Sequence, residues 1–149
     1  METVGAIRKD GGLMWRKWKT KTTENSTPHP AKGAKNVLIV DDDPIIRELV
    51  REILALEDIK TEGLGSGTEL REKFQIQQQE PDVLILDLSL PDDMGEHLLD
   101  LARKHWKNTC FILCTGHLYE KLDEYFAGRA AAILRKPFDA DELLALFDK

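Results

Sequence analysis

Val37-Leu38-Ile39-Val40-Asp41-Asp42-Asp43 runs four apolar residues straight into three carboxylates. A short, unbroken apolar run bounded by turn residues reads as a strand covered on both faces, the usual state of strands in parallel sheets. Three later stretches repeat the form. Val83-Leu84-Ile85-Leu86 meets Asp87, Phe111-Ile112-Leu113-Cys114 meets Thr115, and Ala131-Ala132-Ile133-Leu134 meets, through Arg135, Lys136-Pro137. In an open parallel sheet, ligands bind beyond the carboxyl ends of the strands. Carboxylates, a hydroxyl and an amine are therefore expected at one edge of one sheet, which is the chemistry of Mg²⁺-assisted phosphoryl transfer.

The segments between these runs have helical periodicity. Pro44 suits the first position of a helix, and Ile45, Ile46, Leu49, Val50, Ile53 and Leu54 then recur at helical spacing. A weaker strand is expected over Ile59 to Leu64, and helices over Thr68 to Gln77, Glu96 to Lys104 and Leu118 to Phe126, the last ended by Gly128. Asp139, with Glu142 three residues on, predicts a capping box for a final helix. Five β-α pairs imply an α/β fold, a flavodoxin-like doubly wound (βα)5 three-layer sandwich with parallel sheet order 2-1-3-4-5.

Length and charge narrow the function. The 149 residues, 42% hydrophobic, suit one domain and a tail. Net charge is −6 and unevenly placed: residues 1–36 carry +5 and residues 37–149 carry −11. The acidic body excludes bulk nucleic-acid binding through that domain. Residues 1–36 are expected to be a basic, flexible N-terminal tail, and residues 37–149 the domain proper. Within the tail, Met14-Trp15-Arg16-Lys17-Trp18-Lys19 interleaves aromatic and basic residues. Cys110 and Cys114 lie four apart on one strand, too far apart to pair, and are expected as free thiols in a reducing compartment. No apolar stretch has the length of a membrane span, and no signal-peptide pattern is present. A cytoplasmic location is expected.

Asp41, Asp42 and Asp87 close the first and third strands, which are neighbours in the expected order. Clustered carboxylates repel unless a cation joins them, and hard oxygen ligands suit Mg²⁺. One carboxylate can then attack phosphorus, while Lys136 and Thr115 offer an ammonium and a hydroxyl to phosphoryl oxygens. Asp43 is better read as a helix cap, and Asp92 and Asp93 as loop charges. His29, His97 and His105 are expected to be exposed.

Residues 37–149 resemble the receiver domain of two-component response regulators. The resemblance rests on Asp41-Asp42 before Asp43-Pro44, on Asp87 in Leu86-Asp87-Leu88-Ser89-Leu90-Pro91-Asp92-Asp93-Met94-Gly95, on Thr115-Gly116, and on Lys136-Pro137-Phe138. It implies that Asp87 is the phosphoacceptor and that Asp41, Asp42 and Asp87, with the backbone carbonyl of Ser89, hold Mg²⁺. It further implies that Thr115 is the switch hydroxyl and Lys136 the phosphoryl partner, that Gly116 leaves the phosphoryl group accessible, and that the Lys136-Pro137 bond is cis. His117, two residues past Thr115, and Ser89 are expected to tune the lifetime of the phosphorylated form. The chain departs from the pattern at Ile133, where the family often has a moving Tyr or Phe. The stretch from Thr115 to Lys136 is also short, so an altered fourth helix is expected.

The resemblance implies a stand-alone response regulator, not an enzyme, that takes a phosphoryl group from a sensor histidine kinase or histidine phosphotransfer protein and then changes its protein partner. The short segment after Lys136 carries the expectation that output comes from partner binding, phosphate shuttling or the basic tail. The alternatives are a receiver module of a hybrid kinase or phosphorelay, an interaction module that has lost phosphorylation, and a Mg²⁺-dependent aspartyl-nucleophile phosphohydrolase. The last usually places a general-acid Asp two residues after the nucleophile, where this chain has Ser89.

Overall fold

A computed structural model of the chain describes residues 29–76, 79–117 and 121–147. They form one parallel sheet of β1 (Asn36–Val40), β2 (Lys60–Leu64), β3 (Val83–Asp87), β4 (Cys110–Thr115) and β5 (Ala132–Arg135). The strand order is β2-β1-β3-β4-β5, as the alternating pattern predicts. Helices α1 (Pro44–Ala55), α2 (Gly67–Ile76), α3 (Gly95–His105), α4 (Leu122–Tyr125) and α5 (Ala140–Ala145) fill the connections.

Each strand's alternating side chains divide between two cores. Val37, Ile39, Val83, Ile85, Ile112, Cys114, Ala132 and Leu134 face α1 and α5, meeting Val50, Ile53, Leu54, Leu143 and Leu146. Leu38, Val40, Leu84, Leu86, Phe111, Leu113 and Ile133 face the other layer, meeting Leu70, Leu98, Leu99, Leu122 and Phe126. The unbroken apolar runs are thus explained: every strand but the edge strand β2 is covered on both faces.

The helix starts follow local chemistry. The Asp43 side chain accepts the Ile45 N–H at 2.9 Å, with Pro44 at the first helical position. Asp139 and Glu142 form the expected reciprocal capping box. The Lys136-Pro137 peptide is cis.

Two expectations need correction. The helix expected over Leu118 to Phe126 is a single turn, Leu122–Tyr125, and residues 118–120 lie outside the described residues. Lys121 has φ +57°, a left-handed conformation through which a right-handed helix cannot continue backwards. Residues just ahead of the expected start at 37 also contact the body. Ala31 is buried and donates its N–H to the Leu146 carbonyl, and Asn36 pairs with Lys60 in the sheet. His29, expected to be exposed, is half-buried with Nδ1 2.6 Å from the Ala145 carbonyl oxygen. Most of the basic tail, including Trp15 and Trp18, lies outside the described residues.

Candidate functional site

Parallel strands put all their carboxyl ends on one edge. Val40 pairs with Leu86 in register, so the next residues, Asp41 and Asp87, emerge side by side. Oxygens of Asp41, Asp42 and Asp87 all lie within 4.8 Å of one another. Asp41 and Asp87 are almost wholly buried, at 1% and 2% exposure, whereas Asp42 is exposed.

Lys136 arrives from the far side of the same edge. Thr115 pairs with Arg135, and the Lys136 N–H then donates to the Thr115 carbonyl at 2.8 Å. The Lys136 ammonium stands 2.8 Å from Asp41 Oδ2 and 3.5 Å from Asp87 Oδ2. Burial tends to lower its pKa, but its close ion pair with Asp41 and the charge of Asp87 hold it above the usual lysine range. Burial, reinforced by the negative charge of Asp41, raises the pKa of Asp87 against the opposing pull of the Ser89 N–H and Lys136. That N–H donates to Asp87 Oδ1 at 2.8 Å.

The acidic cluster fits a divalent cation on two grounds. Three carboxylates and one ammonium leave a formal charge of −2, which a divalent cation balances. Asp41 Oδ2 is buried and, despite the nearby ammonium, lacks a well-aligned hydrogen bond, while Asp41 Oδ1 is used by the Asp43 N–H at 2.9 Å. A buried carboxylate oxygen with no aligned donor keeps a lone pair that a divalent cation can take.

Thr115 ends β4 fully buried, and its Oγ1 accepts the His117 N–H at 3.1 Å. A hydroxyl that accepts one bond still has its own proton to donate. Among the described residues, a methyl placed on Gly116 would meet only Lys136 Cβ, at 3.8 Å. Beneath the site, Cys114 pairs with Asp87 across the sheet, and burial pushes its thiol pKa up to about 12.

The neighbouring loops are tied down by residues read from sequence only as loop charges. Asp92 accepts the N–H groups of Gly67 and Thr68, each at 3.0 Å, at the start of α2. Asp93 pairs with Arg71 at 2.6 Å. Both clasp the β3-α3 loop to α2, and neither reaches the acidic cluster identified among the described residues. Sequence reasoning also passed over Arg47, whose Nη1 donates to the Asp41 carbonyl at 2.7 Å. Its position one turn into α1, directly after the acidic triplet, was the available signal.

Ile133 is fully buried in the core shared with Leu122 and Phe126. On the outer side of α4, Tyr125 donates its hydroxyl hydrogen to Glu96. Arg129 reaches Glu96 and Asp100, each at 3.3 Å, and lies 5.0 Å from the centres of the Tyr125 and Phe126 rings.

Comparison with known proteins bears directly on this arrangement. A family model described as the response regulator receiver domain matches residues 37–148. The chain is 32% identical over 116 residues to the DNA-binding transcriptional regulator NtrC of Proteus hauseri, covering 76% of this chain and 24% of that protein. It is 33% identical over 120 residues to the transcriptional regulatory protein TrcR of Mycobacterium tuberculosis, covering 78% and 46% respectively. The chain thus spans between about a quarter and a half of the length of these relatives. Among solved structures, a CheY-like receiver domain of Methanospirillum hungatei superposes with TM-score 0.67 at 28% identity, covering 75% of this chain and 89% of that one. The chemotaxis response regulator CheY4 of Vibrio cholerae gives TM-score 0.65 at 30% identity, covering 74% and 93%.

Proposed function

The chain belongs to the response regulator receiver family, and from that premise we propose that it is a phosphorylation switch whose acceptor is Asp87. The observation that carries the reading is the meeting of Asp41, Asp42, Asp87 and Lys136 at one sheet edge. Asp41, Asp42 and Asp87, with the backbone carbonyl of Ser89, are the proposed holders of Mg²⁺. When bound, that ion supplies positive charge against the acidic cluster and the incoming phosphoryl group.

The chain's own residues do the rest. A carboxylate oxygen of Asp87 attacks the phosphorus of a phosphohistidine on a sensor histidine kinase or phosphotransfer protein. An O–P bond forms, the N–P bond breaks, and the imidazole leaves with the bonding pair and takes up a proton. Lys136, already 3.5 Å from Asp87, exchanges carboxylate for phosphoryl oxygen as its partner. The Thr115 hydroxyl donates to another phosphoryl oxygen. His117 and Ser89 flank the group and set how long it lasts.

The receiver unit is taken to begin near His29, since Ala31 and Asn36 pack as part of it, with the earlier basic residues outside. Its place is the cytoplasm; among the described residues no helix is long and apolar enough to cross a membrane. The downstream partner is a protein contacted through the switched surface.

Acetyl phosphate and Mg²⁺ test the reading. Wild type should take up a single acid-stable, base-labile label, and Asp87→Asn none. Labelling that survives the substitution removes Asp87 from the role. Sustained turnover of small phosphomonoesters would instead support the phosphohydrolase.

A further inference from the structure

Arg47 lies at the seam between the β1-α1 and β2-α2 loops. Its Nη1 donates at 2.7 Å to the carbonyl of Asp41, while the Asp41 N–H donates to Leu64 at 3.0 Å. That carbonyl belongs to the peptide unit joining Asp41 to Asp42. The unit is planar, so holding its oxygen also holds the Asp42 nitrogen and the direction in which the Asp42 side chain leaves the backbone. Asp42 depends on this. Its carboxylate is exposed and makes no hydrogen bond or ion pair among the described residues, so the backbone alone places it. Asp41, by contrast, is held through its side chain by the Asp43 N–H and Lys136.

The opposite wall is shaped to admit the guanidinium. A methyl on Gly65 would come within 3.2 Å of Arg47 Nη1, and one on Gly63 within 3.2 Å of Arg47 Cδ. Neither glycine has positive φ. Backbone conformation therefore does not call for glycine at either place, and a side chain at either would crowd Arg47.

We propose that Arg47 is a positioning residue for the divalent-cation site, fixing the Asp41-Asp42 peptide, and that Gly65 is glycine to leave it room. The proposal rests on the reading of Asp42 as a ligand.

The test is Mg²⁺ affinity, followed by NMR titration of the backbone amides of Asp42 and Ser89. Arg47→Ala should weaken Mg²⁺ binding about tenfold, the lower end of what loss of an outer-sphere partner costs. Arg47→Lys, which keeps a donor, should recover part of it. Gly65→Ala should weaken binding severalfold in wild type and have no further effect in Arg47→Ala, because the atom it crowds is gone. Unfolding in EDTA separates positioning from plain structural support, since a structural role lowers the metal-free midpoint and leaves the affinity of the folded protein unchanged. Wild-type affinity in Arg47→Ala, or equal effects of Gly65→Ala in both backgrounds, overturns the proposal. An Asp42→Asn control binding Mg²⁺ as wild type does shows that the metal assignment itself has failed, and the proposal falls with it. Loss of binding in Asp42→Asn but not in Arg47→Ala removes Arg47 alone.

Discussion

Asp87 carries its charge where a charge is disfavoured. Burial and the neighbouring Asp41 raise its pKa above the ordinary 3.8. The sign of the consequence follows from proton binding. As pH rises past 3.8 the unfolded chain gives up this proton first, while the folded chain retains it. Stability therefore falls with pH across the interval up to the folded-state pKa. Above that interval the ionised acceptor is a standing cost to the metal-free fold. Asp87→Asn should be more stable than wild type in EDTA at neutral pH, by about 1 kcal/mol or a few degrees in Tm. The difference should shrink as pH approaches 3.8, and thermal unfolding at a series of pH values measures it. A neutral-pH variant less stable than wild type would show that the ion pair with Lys136 outweighs the burial.

At the scale of elements, β5 and α4 hold the two departures expected from sequence, Ile133 and the short stretch before Lys136. Ile133 occupies a position with no exposure, in the same buried core as Leu122 and Phe126. Ile133→Tyr should therefore not restore a moving ring. It should overpack the core and cost about 1–3 kcal/mol in urea unfolding. The short α4 is anchored through Arg129 to Glu96 and Asp100 on α3. Arg129→Ala should speed amide hydrogen exchange at Tyr125 and Phe126, whose N–H groups bond to Lys121 and Leu122, and leave α1 unchanged. Equal acceleration in α1 would point to global destabilisation.

The same elements show where sequence reading stops. β1, β3 and β4 were legible because a strand buried on both faces must be continuously apolar. Asp43 and Asp139 were legible as caps because capping depends on near neighbours. The length of α4 was not: Leu118, Leu122 and Phe126 have helical spacing, but the left-handed Lys121 that stops the helix leaves no composition signal. Arg47 offered only its place after the acidic triplet, since its meaning lies in a carbonyl six residues back in sequence and in Gly63 and Gly65, on and just past β2.

For the molecule as a whole, the sheet gathers its charge at one edge and its apolar mass in two layers below. A ligand for that edge should stabilise the entire fold by mass action. Mg²⁺ at ten times its dissociation constant should add about 1.4 kcal/mol to unfolding, and Asp42→Asn should abolish the gain while leaving stability in EDTA near wild type. Calorimetric unfolding with and without EDTA checks both. The meeting of Asp41, Asp42, Asp87 and Lys136 at that edge was legible in sequence because topology forces strand ends together. The contacts of His29 and Ala31 were not, because their partners, Ala145 and Leu146, are remote in sequence.

Cys114 lies under that edge, buried at 2% exposure, with a thiol pKa pushed up to about 12. Such a sulfur is inert to alkylating and disulfide-forming reagents until the sheet opens. With Cys110 changed to Ser, the rate at which a thiol reagent modifies the remaining cysteine becomes a clock for opening of the central strands, read without a denaturant or an attached dye. Ligand at the sheet edge should slow that clock, giving an occupancy measurement from the hidden side of the site.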